Sequence, residues 1–253
     1  MNAVVLSAKP TVSFFSYQQT SHRPGNVRYP LIWEWTDFVM KPRLVFVHGW
    51  GFNAGVWSQI APHFDSYEIT YWGSEYIRYG PPLAPGIPDG SFCVAYSFGV
   101  AQVLASNPSN LHGLVSICGF DALVARGRGV AIEAILSGLS RNACAQMRAF
   151  WASCGVNRFA PPEAIDGVEL EQGLRTMLKL DAREQLRAAS YPILALASRD
   201  DRVIPFYVSK TVWEKHALVT TDNGGHGLPM SRASWCVEQI KRFLELHVAQ
   251  ANN

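Results

Sequence analysis

A mostly parallel β-sheet covered by helices on both faces is the fold class this sequence predicts. Three observations predict it. From Arg43 onward, short apolar or β-branched runs recur, with helix-like segments between them. The runs are apolar throughout rather than alternating, as strands buried on both faces are. Residues with chemical potential follow the ends of these runs, where an open parallel sheet places its sites.

Taken in order, Arg43 to Val47 reads as a buried strand that feeds the loop His48-Gly49-Trp50-Gly51. Ala54 to Phe64 is helix-like and Tyr67 to Trp72 strand-like. Ser91 to Tyr96 forms a strand that stops at Ser97, and a helix follows from about Phe98 to Ser106. Leu111 to Cys118, Tyr191 to Ala197 and Ala217 to Thr221 are further strands. The last helix runs from about Arg232 to His247, with Cys236, Ile240, Phe243 and Leu244 on one face. Between Leu123 and Ala189 no strand is expected. That stretch reads as several helices, with Leu170, Leu174 and Leu178 sharing a face and Met177 beside them. A single crossover needs far fewer residues, so a helical cap inserted at about 123–189 is expected. Residues 1–39 are irregular, broken by Pro10, Pro24, Gly25 and Pro30, and form an extension in which Tyr29 to Trp35 is an edge-strand candidate. Met40, just ahead of a central strand, is a candidate natural start, and 40–253 is expected to form the main domain.

Composition excludes several classes. A chain of 253 residues can bury a full core without staples. Its net charge of +2 gives no basis for nucleic-acid or membrane-surface binding. The five cysteines, Cys93, Cys118, Cys144, Cys154 and Cys236, are odd in number and lack C-x-x-C spacing, so no disulfide framework or metal site is expected. No apolar run approaches the roughly 18 residues a membrane span needs. The short apolar run from Ala3 to Ala8 has no basic lead-in, which excludes a signal peptide of the usual form, so a cytoplasmic monomer without cofactor is expected.

Four segments carry the chemistry. Ala95-Tyr96-Ser97-Phe98-Gly99 matches the nucleophile elbow G-x-S-x-G with alanine at the first position. Small residues two before and two after the serine are needed because the strand-to-helix turn there is tight and strained. Val47-His48-Gly49-Trp50-Gly51 is a glycine-rich loop suited to presenting a backbone amide. Acyl transfer needs two such donors at the oxyanion, and the amides of Trp50 and Phe98 are the candidates. Ser198-Arg199-Asp200-Asp201, with Pro205 beyond, places an acid at a strand end. Asp201, four residues before Pro205, is favoured, with Asp200 expected to pair with a neighbouring arginine and Asp121 kept as a further alternative. Asp222-Asn223-Gly224-Gly225-His226-Gly227 sets a histidine between glycines after the last strand. Ser97, Asp201 and His226 thus occur in the chain order nucleophile, acid, base.

On these residues the chain resembles the α/β-hydrolases, and within them the pimeloyl-[acyl-carrier protein] methyl ester carboxylesterases of biotin synthesis. The resemblance runs through Val47-His48-Gly49-Trp50-Gly51-Phe52-Asn53-Ala54-Gly55-Val56-Trp57, the elbow at Ser97, Gly173-Leu174, and Leu180-Asp181-Ala182-Arg183-Glu184-Gln185-Leu186. It implies Ser97, Asp201 and His226 as a catalytic triad, Trp50 and Phe98 as oxyanion donors, and Phe150 with Trp50 at the acyl group. The elbow departs at Ala95, and the short Ser97-to-Asp201 interval implies a reduced cap.

The function expected is therefore hydrolysis of an acyl methyl ester, carried on acyl-carrier protein, by a serine esterase. Two rivals are a general short-chain esterase or thioesterase without a carrier, and a non-catalytic ligand-binding protein of the same fold. Turnover of short p-nitrophenyl esters separates the last. A local excess of arginine, Arg126, Arg128, Arg141, Arg148 and Arg158 against the single acid Glu133, is the candidate contact with an acidic, phosphorylated carrier.

Overall fold

The computed structural model describes residues 41–157 and 159–251, all within one compact unit, Met40–Asn253. The edge strand expected at Tyr29 to Trp35, the start at Met40 and Arg158 lie outside the described residues.

Six parallel strands form one sheet: β1 (Arg43–Val47), β2 (Glu68–Trp72), β3 (Ser91–Tyr96), β4 (Gly113–Ile117), β5 (Ile193–Ser198) and β6 (Ala217–Thr221), in the order β2-β1-β3-β4-β5-β6. The helices are α1 (Phe98–Ser106), α2 (Gly129–Arg141), α3 (Ala143–Ser153), α4 (Gly167–Lys179), α5 (Arg183–Ala188), α6 (Phe206–Val212), α7 (Leu228–Ser231) and α8 (Ala233–Ala251). The strand sequences separate centre from edge. FCVA in β3 and ILALA in β5 are buried at every position, whereas the edges EITYW of β2 and ALVTT of β6 carry polar residues and are half exposed. From β1 the chain moves outward to β2 and then returns to the other side of β1 as β3. That reversal opens a crevice beyond the ends of β1 and β3, where ligands bind in open parallel sheets.

The expected elements differ from the structure in several places, β5 among them, which runs Ile193–Ser198 rather than from Tyr191 to Ala197. The helix expected over Ala54 to Phe64 is two short 3₁₀ turns, Ala54–Trp57 and Ala61–His63. Gly55 weakens a helix there, the Asn53 side chain caps the first turn at the Gly55 amide, and Pro62, having no N–H, starts a separate one. Strand β4 begins at Gly113 rather than Leu111, after Asn110 takes a left-handed φ of 71°. The last helix continues to Ala251, beyond His247.

Between β4 and β5 lies the helical stretch, α2 to α5. Leu170, Leu174 and Met177 are buried on one face of α4, and Leu178 packs against the same core at its edge. Asp166 caps α4 by accepting from the amides of Val168 and Glu169. This insertion reaches back to the loop after β2 through an antiparallel bridge between Ile77 and Ile165 and an Arg78–Asp166 ion pair at 2.7 Å.

Candidate active site

Ser97 follows β3 directly and stands as the N-cap of α1, with φ 53° and ψ −123°. A non-glycine residue in that region is strained and is held there by its surroundings. Those surroundings explain the small neighbours. A Cβ on Gly99 would come within 2.5 Å of the His48 carbonyl oxygen and 2.9 Å of that of Val47, so α1 starts hard against the end of β1. The loop after β1 passes equally close, since a Cβ on Gly49 would lie 2.9 Å from Ser97 Cβ.

The structure joins Ser97 to His226 and Asp201. Ser97 Oγ lies 2.9 Å from His226 Nε2, and His226 Nδ1 lies 2.8 Å from Asp201 Oδ2. A carboxylate only accepts hydrogen bonds, so Nδ1 carries the proton toward Asp201 and Nε2 is the bare nitrogen that accepts from the serine hydroxyl. His226 is fully buried, and Ser97 and Asp201 are each 7% exposed, so water screens these contacts little. The second oxygen of Asp201, Oδ1, accepts the amides of Val203 and Ile204, both at 2.8 Å. One oxygen anchors Asp201 and the other faces His226.

The alternative acids are engaged elsewhere. Asp200, expected beside an arginine, instead accepts the Ser198 hydroxyl and the Gly225 amide, while Arg199 pairs with Asp222. Burial raises the Asp200 carboxyl, but the Ser198 hydroxyl and the Gly225 and Gly224 amides outweigh it and hold the group below the usual carboxylate range. Asp200 thereby ties the loop that carries His226 to the end of β5. Asp121 is buried and forms a two-point ion pair with Arg126, at 3.1 and 2.7 Å.

Trp50 and Phe98, the expected oxyanion donors, lie in the loop after β1 and at the start of α1. Phe98 opens α1, where the first amides have no partner inside the helix. Neither its N–H nor that of Trp50 bonds to a backbone carbonyl among the described residues. The Trp50 indole packs edge-on against Phe150 at 4.8 Å, and its Nε1–H donates to the Leu170 carbonyl at 2.8 Å. Phe150 and Met147 of α3 lie directly over Gly51, so the insertion forms the wall next to this loop.

The sequence assigns no role to three neighbouring side chains. Cys118, at the end of β4, has its Sγ within 4.8 Å of ligand atoms of both Asp201 and His226. Burial first, and then the Asp201 charge, push its thiol well above the ordinary cysteine range, which keeps it protonated. The Tyr96 ring lies 5.3 Å from that of His226. His48, buried beside Gly49, has its pKa lowered to about 4 by burial, so it is neutral. A lone cysteine or tyrosine at a strand end is indistinguishable in sequence from ordinary core filling.

The arginines of the expected carrier contact are not equivalent. Arg126 is committed to Asp121 and Arg128 is half-buried. Arg141, at the end of α2, is exposed and donates to Ser137 Oγ of its own helix, and Arg148 is exposed on α3.

No family model matches the chain. The pimeloyl-[acyl-carrier protein] methyl ester esterase of Aeromonas salmonicida is 24% identical over an alignment covering 82% of this chain and 97% of that protein. Among solved structures, a bromoperoxidase from Bacillus anthracis superposes with TM-score 0.67 at 16% identity, covering 82% of this chain and 92% of that one. An esterase from Exiguobacterium antarcticum superposes with TM-score 0.66 at 15% identity, covering 81% and 92%. The fold is the α/β-hydrolase fold. In sequence the chain is similar to the pimeloyl-[acyl-carrier protein] methyl ester esterases.

Proposed function

We propose that this chain hydrolyses a carboxylic ester through an acyl-enzyme on Ser97. The observation that carries the reading is the unbroken hydrogen-bonded line from Ser97 Oγ through His226 to Asp201 Oδ2, at 2.9 and 2.8 Å. In it, His226 Nε2 takes the serine proton as Oγ attacks the ester carbonyl, and Asp201 stabilises the imidazolium that forms. The amides of Trp50 and Phe98 stabilise the oxyanion. The imidazolium then gives its proton to the leaving alcohol, and a water activated by the same nitrogen releases the acid.

We further propose that the substrate is an acyl methyl ester carried on acyl-carrier protein, as the names of the curated relatives suggest. The apolar wall of Trp50 and Phe150 suits an acyl chain, and the exposed Arg141 and Arg148 suit an acidic, phosphorylated carrier. Methanol release from pimeloyl-[acyl-carrier protein] methyl ester, measured beside hydrolysis of free p-nitrophenyl butyrate, tests this. Replacing Arg141 and Arg148 together by Ala is expected to raise KM for the carrier-bound ester and flatten its salt dependence, leaving the free ester unchanged. Equal loss on both substrates means a damaged insertion. Hydrolysis of the free ester alone by the wild-type protein would leave a general short-chain esterase.

A further inference from the structure

We propose that Trp151 is a positioning residue that sets the direction of the oxyanion-binding turn. This rests on the reading of Ser97 as nucleophile and the Trp50 amide as a donor. Trp151 is fully buried on α3, and its Nε1–H donates to the Gly51 carbonyl at 2.9 Å, across 100 residues of sequence. Gly51 has φ 75°, and a Cβ there would lie 2.8 Å from Met147 Cε and 3.1 Å from Phe150 Cε1. The turn therefore has to be glycine, and glycine brings no side chain to fix its own rotation. Trp151 supplies what glycine lacks: a donor at the edge of a rigid apolar ring, reaching a buried carbonyl from the insertion.

A second bond runs the opposite way. The Trp50 indole donates from the turn to the Leu170 carbonyl of α4 at 2.8 Å. The turn is thus anchored at residue 50 through its side chain and after residue 51 through the Gly51 carbonyl, and the two bonds together fix the path of the chain through it. The N–H of Trp50 lies on the peptide that enters residue 50, whose Cα is the first of the two points so held. An oxyanion donor works only when it lies at about 2.7–3.1 Å from the charge that develops, and a displacement of about 1 Å costs about 100-fold. The same bond would matter little to ground-state binding, which depends on the apolar wall.

The test is Trp151→Phe, which keeps a buried aromatic ring and removes the donor. On p-nitrophenyl butyrate, kcat is expected to fall about 10- to 100-fold with KM within about threefold. Affinity for a trifluoromethyl ketone, whose adduct carries the oxyanion, is expected to fall in parallel with kcat. Replacing Trp151 by β-(3-benzothienyl)alanine, in which sulfur stands where the N–H was, is expected to repeat the loss with the melting temperature unchanged. Unchanged kcat in the benzothienyl protein would overturn the proposal. So would a loss shared between kcat and KM and accompanied by a lowered melting temperature in both variants, which would mean a packing role. Failure of the wild-type protein to hydrolyse the ester or to be labelled at Ser97 would instead overturn the underlying reading.

Discussion

Asp200 and Asp201 are adjacent, chemically identical, and held by different partners, which makes them a test of the site at the scale of single atoms. In Asp201→Asn the side-chain oxygen can keep the Val203 and Ile204 amides, but the new NH₂ group then faces His226 Nδ1. Two donors cannot face each other, so the imidazole moves its proton to Nε2 and can no longer accept from Ser97. A loss of about 10⁴ in kcat is expected, with little change in melting temperature. Asp200→Asn keeps an oxygen acceptor for the Ser198 hydroxyl and the Gly225 amide and is expected to cost little. Steady-state kinetics of the two variants, side by side, check both. The reverse pattern would move the acid one residue back. In the sequence Asp201 stood out through its distance to Pro205. The partners of Asp200 did not, because Gly225 belongs to another strand end and only the folded sheet brings the two loops together.

At the scale of elements, the strands, α1 and the helical stretch before β5 were legible, and the stretch after Asn53 was not. Central strands read as continuous apolar runs because both faces are covered, and β3 and β6 match their expected bounds residue for residue. The stretch after Asn53 deceived because its apolar spacing is helical, while Gly55 and Pro62 break it into two turns. Cys118 and Trp151 were invisible for another reason. Their contacts with Asp201 and Gly51 cross the fold and leave no local pattern. The elbow offers a prediction at this scale. Gly99 is where α1 meets β1, and the methyl group of Gly99→Ala would face two backbone oxygens that cannot move independently of the sheet. The variant is expected to lose about 1–3 kcal/mol by denaturant unfolding and to lose activity with it, as α1 and Ser97 are pushed away from the loop after β1. Full stability with full activity would mean that the two elements are less tightly docked than these distances require.

Across the whole molecule, the buried His48 links stability to pH. His48 is held neutral with a pKa of about 4, against 6.5 when unfolded. Between those values the unfolded chain binds the proton and the folded one does not, so stability falls as pH drops through that window and is complete above it. The effect is worth about 3 kcal/mol at most, and His48→Gln is expected to lose less melting temperature than the wild type between pH 7 and pH 5. An equal loss in both proteins would assign the acid sensitivity to other groups. Among the described residues no helix is long and apolar enough to cross a membrane. The crevice at the reversal between β1 and β3 collects the loop carrying Trp50, Ser97 at the start of α1, and Asp201 and His226 from beyond the ends of β5 and β6. The central claim is that this assembly makes Ser97 a nucleophile. The measurement that tests it most directly is mass-spectrometric mapping of a fluorophosphonate adduct on the wild-type protein, paired with ester turnover by Ser97→Ala. Labelling at Ser97 alone and a fall of about 10⁴- to 10⁶-fold in the mutant are predicted, with the fold intact. Labelling at another serine, or undiminished turnover in Ser97→Ala, would contradict it.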